Sequence, residues 1–511
     1  MRRVQSLSLV VILFAGGARL AMGQAWPGHA RDAQHTSLGA GPSQLPQKFR
    51  WSTPVDQAPQ YNGSDLLIHY GSPLITRVNT VIVPVKTGAT GGFQVSGLRA
   101  GDGFQLWTVA SDYVVPQHSW FPEFGVTLTP RDATLAIPGA GGTVLVRNFP
   151  DSPSGTTTRM AFYGIANYNA NPAAFNSSIQ ICTPISSDRL GNIFFGFVSD
   201  GTALPGYPTG IPSGLARISS RGAGSFVAAA AMSDGGSSMV KVVYNNAPGF
   251  SNDGNSLYVA VDNVPLGSAG NYGNGYLCRL DSTTLAKQSS VLLMDPRPGQ
   301  GNALITDDGS GTPTIGPDGD VYFGVLEANL GSNHLRGWLL HYSSDLSTTK
   351  LPNAFGWDDT ASIVPAGSVP SYSGTSTYLL LTKYNNYVEG GGDGQNKVAV
   401  VDPNNSMTDP ISGATVMATV ITATGPTPDP SHPGGVREWC INSAAIDPVT
   451  KCALVNNEDG HLYRWDFTTN TLSPAFPMAS ATGEAYTPTV MGPDGAVYAI
   501  NNATLFSCVH N

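Results

Sequence analysis

Charge is scarce in this chain, at 12% of 511 residues. No segment after the N-terminus sets Glu, Lys, Ala and Leu at a 3.6-residue period, which excludes long amphipathic helices. No apolar run reaches the roughly 20 residues that cross a bilayer, which excludes a membrane span. The five cysteines include no adjacent pair, no Cys-x-x-Cys and no Cys-x-x-Cys-His, and no His-rich cluster accompanies them, so a zinc site and a covalent haem have no ligand pattern. Gly-x-Ser-x-Gly is missing, and the Gly-rich runs follow no strand-to-helix pattern, so a nucleophile elbow and a phosphate cradle have no support.

What is present is turn and strand chemistry. The chain has 60 Gly and 38 Pro, with abundant Ser, Thr and Asn between short β-branched and aromatic runs. Residues 1–23 read as a signal peptide, with Arg2 and Arg3, an apolar run from Leu7 to Ala15, and small residues at Ala21-Met22-Gly23. The expected product is exported, extracellular or periplasmic, and with no Cys after the leader it carries no lipid anchor. Loss of Arg2, Arg3 and Arg19 with the leader takes the formal charge from −9 to −12, which argues against nucleic acid as a partner.

The organising feature is a repeated hairpin. Thr312 to Tyr322 and Thr487 to Tyr498 share a strand, a Pro-Asp-Gly turn and a second strand. Seven units of short strands follow one another from His69 to Asp466. An eighth, from Tyr486 to Cys508, ends at Asn511 one strand short. Phe49-Arg50-Trp51-Ser52-Thr53-Pro54-Val55 is a strand without a hairpin partner, and it supplies the missing one. The sequence therefore predicts an all-β fold over residues 24–511: one eight-bladed β-propeller of four-stranded antiparallel blades. A strand at about 48–56 joins the C-terminal blade and closes the ring.

The residues also resemble a family. Trp26-Pro27 with Arg31 to Thr36, blades of the Gly92 to Trp107 and Gly460 to Asp466 type, and the Gly-x-x-x-Trp ending at Gly103 to Trp107 are similar to exported propellers with PQQ-like repeats. That resemblance implies a quinoprotein-like propeller in which the Trp docks one blade on the next. Its members include PQQ- and Ca²⁺-dependent dehydrogenases with an Asp base and an adjacent-cysteine disulfide, and cofactor-free protein-binding scaffolds. This chain lacks the adjacent cysteines and any matching calcium set, so no cofactor is expected. It reads as a binding scaffold for a protein or a glycan, with a quinoprotein-like oxidoreductase or a carbohydrate-active propeller as the alternative.

Segments preceding each innermost strand of a propeller converge on one mouth of the central channel. Those segments supply His118, Trp120 and Glu123; Trp357, Asp358 and Asp359; Arg437, Glu438 and Trp439; and Glu484 with Tyr486. Aromatic rings beside paired carboxylates suit sugar or peptide binding, and a carboxylate pair suits acid–base work. For Trp439 a stacking platform and a core position are both open. Glu389 to Asn396 has oxygen ligands but fits no calcium loop and reads as a hairpin tip. Cys440 and Cys452 fall on neighbouring strands around Asp447-Pro448, with pairing and free thiols both open.

Overall fold

The computed structural model describes residues 25–511 apart from 64, 119, 268–270, 310, 440, 474–475 and 480–487. Its antiparallel sheets follow sequence order as the eight blades of a propeller. Blade 1 comprises Leu74–Ile75, Thr80–Lys86, Phe93–Arg99 and Gln105–Ser111; blade 2 comprises Thr127–Leu128, Thr134–Pro138, Thr143–Asn148 and Thr157–Ala161. The innermost strands of blades 3 to 8 are Ser186–Ser187, Gly249–Phe250, Thr314–Ile315, Ser362–Pro365, Ala445–Asp447 and Thr489–Met491. In blade 5 the fourth position is held by the bridges of Tyr342 with Thr349 and Leu339 with Asn353.

The ring closes as the sequence predicts. Lys48–Pro54 pairs with Thr504–Val509 as the outer strand of blade 8, in a register that sets Phe49 opposite Cys508 and Pro54 opposite Thr504. The N- and C-terminal strands thus share a ladder, and Thr504–Val509 is paired on both sides rather than left as an edge.

Second strands depart from simple alternation because blades pack face to face. Every residue of Thr80–Lys86, Ile193–Ser199 and Ser256–Asp262 is buried, so these strands read as near-continuous apolar runs. Blade docking uses the expected tryptophan. Trp107 Nε1 donates to Pro150 O at 2.7 Å, across the junction of blades 1 and 2, and the Arg147 guanidinium lies 4.3 Å from its ring centroid. Gly97 makes room for that indole, since a Cβ there would lie 2.2 Å from it. At the closing strand Trp51 acts similarly, donating to Ala100 O at 2.7 Å.

The link from blade 2 to blade 3 holds two short helices, Ile165–Ala170 and Pro172–Ser178, that strand patterning does not reveal. Asn171 caps the second by accepting from Ala174 N, and Pro172 occupies its first turn, where a missing N–H costs nothing. Among the described residues no helix is long and apolar enough to cross a membrane. Cys182, Cys278, Cys452 and Cys508 are buried free thiols; Cys440 lies outside the described residues.

The N-terminal segment is a strap wound around the axis. Trp26 exchanges backbone hydrogen bonds with Ile75, at 2.8 and 3.0 Å. Pro27, Ala33, Gln34, Thr36 and Ser37 then accept from Leu128, Phe250, Ile315, Ile363 and Ile446, at 2.7 to 2.9 Å. It therefore bonds the inner strands of blades 1, 2, 4, 5, 6 and 7 in order. Each inner strand is only two to four residues long and would otherwise present unpaired N–H groups to the channel. Left-handed backbone at Ala30, Arg31, His35 and Ser37 lets the strap turn with the ring.

Candidate functional site

Segments before the inner strands bring ionisable side chains to the axis, as the propeller geometry requires. Second strands end on the same face because they run antiparallel to the first, so they add residues of their own, including Asp262 and Lys383. At the centre Lys241 Nζ lies 2.6 Å from Asp262 Oδ1 and 2.9 Å from Asp307 Oδ1, with the Lys241 and Asp262 side chains fully buried. Burial opposes charge on all three groups. For Lys241 the two carboxylates outweigh it and hold the ammonium charged, while burial pushes the Asp262 and Asp307 carboxyls upward.

His118 sits against this group. Its Nε2 meets Asp307 O, its Nδ1 is 3.6 Å from Asp308 Oδ1, and its ring stacks on Tyr244 with centroids 5.3 Å apart. Burial lowers its pKa, with the Asp308 carboxylate acting against that. The Trp120 N–H donates to His118 Nδ1 at 3.0 Å, and the half-buried Trp120 ring lies 6.0 Å from the ring of buried His69. His69 is held well below the usual imidazole range by burial, then by His118 and Lys383.

Asp358 and Asp359 approach from blade 6 and are buried. Asp358 Oδ2 is 3.9 Å from Lys383 Nζ. Burial pushes the Asp359 carboxyl up to about 8, against the pull of Lys383. Trp357 is half-buried and lies over Gly309, just beyond Asp307 and Asp308. The mouth thus unites His118, Trp120, Trp357, Asp358 and Asp359 around a floor that includes His69, Lys241, Asp307 and Lys383.

The other expected residues go elsewhere. Glu123 is buried against the strap, its Oε1 3.1 Å from His29 Nδ1 and accepting from Ser72 N at 3.3 Å. Trp439 is 0% exposed, packed edge-on to Tyr463 within the core shared by blades 6 and 7, so it is a core residue. Arg437 lies with its guanidinium 3.7 Å from Asp429, and the Glu438 carbonyl accepts from Glu458 N at 3.2 Å. Glu484 and Tyr486 lie outside the described residues. At the 389–396 hairpin tip, Glu389 meets His432 at 3.0 Å and Asp393 accepts from Asn386 at 2.6 Å.

No protein-family model matches the chain, and no curated protein does. Solved structures do. A europium-containing methanol dehydrogenase superposes with a TM-score of 0.56 at 8% identity, over 93% of this chain and 89% of that one. The quinohemoprotein alcohol dehydrogenase from Comamonas testosteroni superposes with a TM-score of 0.55 at 11% identity, over 96% and 81%. The shared property is the fold. The chain is a β-propeller similar in fold to both of these structures.

The described residues offer no match to the calcium site that the resemblance to PQQ-dependent propellers implies. Among the described residues no three His, Cys, Asp or Glu side chains form a group able to hold a metal ion. The carboxylates of Asp262 and Asp307 are engaged by Lys241, and the four described cysteines sit on separate blades. Sequence reading missed Lys241, Asp262, Asp307 and Lys383. The signal for Asp307 was its place before an inner strand, the criterion that found Asp358. Lys383 and Asp262 sit at second-strand ends, which that criterion does not sample.

Proposed function

We propose that this chain is an exported binding propeller that recognises a protein or glycan ligand at the channel mouth. The observation that carries the reading is the placement of two half-buried indoles, Trp120 and Trp357, at the mouth beside the buried pairs of Lys241 with Asp262 and Asp307 and of Lys383 with Asp358. Indole faces stack on the apolar face of a sugar or on a peptide side chain, and the carboxyls beside them orient it. Export rests on residues 1–23. A glycan array probed with the purified protein and with Trp120→Ala and Trp357→Ala tests this: binding that both variants lose at unchanged melting temperature supports the site. Binding indifferent to both indoles removes the mouth as the ligand site.

A propeller enzyme is the second reading, favoured by the raised carboxyls of Asp307 and Asp359 in a channel, since perturbed carboxyls gather where acid–base chemistry occurs. Saturable binding of PQQ with Ca²⁺ and reduction of a dye would replace the scaffold reading with an oxidoreductase.

A further inference from the structure

The face of the disc opposite the mouth carries the turns between first and second strands, and on blades 1 to 3 these turns are rich in arginine. Arg77, Arg131 and Arg189 line a cavity of about 400 Å³ whose wall includes Pro27 of the strap, Leu128 and Phe250. None of the three guanidiniums forms an ion pair among the described residues. The neighbouring carboxylates are taken up locally: Asp32 by Arg31 and Thr36, Asp132 by the Arg77 N–H at 2.8 Å, and Asp188 by the Leu190 and Asn192 N–H groups. Asp253 adds only a weak attraction to Arg189. With Arg31 the lining carries four guanidiniums against the three carboxylates of Asp32, Asp132 and Asp188, an excess of one positive charge in a chain of net charge −9.

The turn that presents Arg131 is itself strained. In blades 5 and 8 the corresponding Pro-Asp-Gly tips place a glycine at positive φ, Gly319 at 90° and Gly495 at 79°. In blade 2, Pro130-Arg131-Asp132 puts two consecutive side-chain-bearing residues there, Arg131 at 62° and Asp132 at 58°. A second hollow of about 450 Å³ adjoins the first, sharing Arg131 and Arg189, and is walled by Val146, Met160, Leu190 and Ile193. Leu190 is 68% exposed. The two hollows therefore meet at two guanidiniums, with the apolar side chains of Val146, Met160, Leu190 and Ile193 on the far side.

We infer that this double hollow binds a small amphiphilic organic acid, its oxyanion held by Arg77, Arg131 and Arg189 and its apolar body laid along Leu190, Val146 and Met160. Guanidinium forks match carboxylate and sulfonate oxygens in pairs, and each hollow is of ligand size. The site is separate from the mouth and stands whether or not the mouth binds a glycan.

The test is titration with 8-anilinonaphthalene-1-sulfonate, followed by displacement with decanoate and with decanol. One saturable site is expected, displaced by decanoate and at least tenfold less well by decanol. Arg131→Gln with Arg189→Gln should weaken it tenfold or more at unchanged melting temperature, while Trp357→Ala leaves it intact. Absence of saturable binding, equal displacement by decanol, or unaltered affinity in the double variant overturns the assignment.

Discussion

Glu123 Oε1 lies 3.1 Å from His29 Nδ1, joining residues 94 positions apart: one on the strap, the other just before the inner strand of blade 2. Both side chains are about 4% exposed or less. The strap is therefore held by side chains as well as by its backbone bonds, and the axis has little freedom to open between them. Glu123→Ala leaves the His29 ring and the Ser72 N–H without their acceptor. Loss of a buried acceptor costs about 1 to 3 kcal/mol. The expected outcome is a clear fall in melting temperature with the mouth indoles still competent, read by calorimetry beside the glycan array.

Ring closure gives a larger effect. Deleting Lys48–Pro54 removes the ladder to Thr504–Val509, strips Trp51 from Ala100 O and exposes the last strand of blade 8 as an edge. The deletion variant should aggregate or melt far below the intact protein in light scattering and calorimetry. A variant that melts like the intact chain contradicts the role of this ladder in closing the ring.

Trp439 and Trp357 separate core from surface. Trp439 is fully buried between blades 6 and 7, so Trp439→Ala should cost about 3 to 5 kcal/mol. Trp357 is half-buried, and Trp357→Ala should change the melting temperature little while altering ligand binding. Paired melting curves of the two variants read the difference directly.

The contrast shows what a sequence can convey. Blade count and ring closure were legible because each blade repeats a local signal of short apolar strands and Gly, Pro, Asn and Asp turns, and because Phe49 to Val55 had no local partner. His118, Asp358 and Asp359 were legible by position, since any residue before an inner strand reaches the mouth. Burial was not: Trp439 and Trp357 occupy equivalent places in their segments, and only the packing of Tyr463 distinguishes them. The strap was recognisable as a motif but not as a strap. Its residues follow neither a period of 2 nor one of 3.6, and its hydrogen bonds go to six blades spread over about 370 residues, from Ile75 to Ile446. Lys241 with Asp307 is likewise a pairing between blades, and Lys383 with Asp358 joins residues 25 positions apart within blade 6; no local spacing records either.

Asp359 makes the channel sensitive to pH. Its carboxyl is 1% exposed, and burial raises it from the usual 3.8 to about 8. Below about 4 both folded and unfolded chains hold the proton, and above about 8 neither does. Between those limits the folded chain binds more protons than the unfolded one, so this group's contribution to stability falls as pH rises, by at most about 1.4 kcal/mol per unit. Lys383 opposes the shift without cancelling it. Asp359→Asn keeps the shape and removes the titration. The melting temperature of the parent protein should decline from pH 5 to pH 8 more steeply than that of Asp359→Asn, with the variant the more stable of the two at pH 8. Parallel profiles for the two proteins mean that Asp359 is ionised in the folded chain, with Lys383 as its counter-charge.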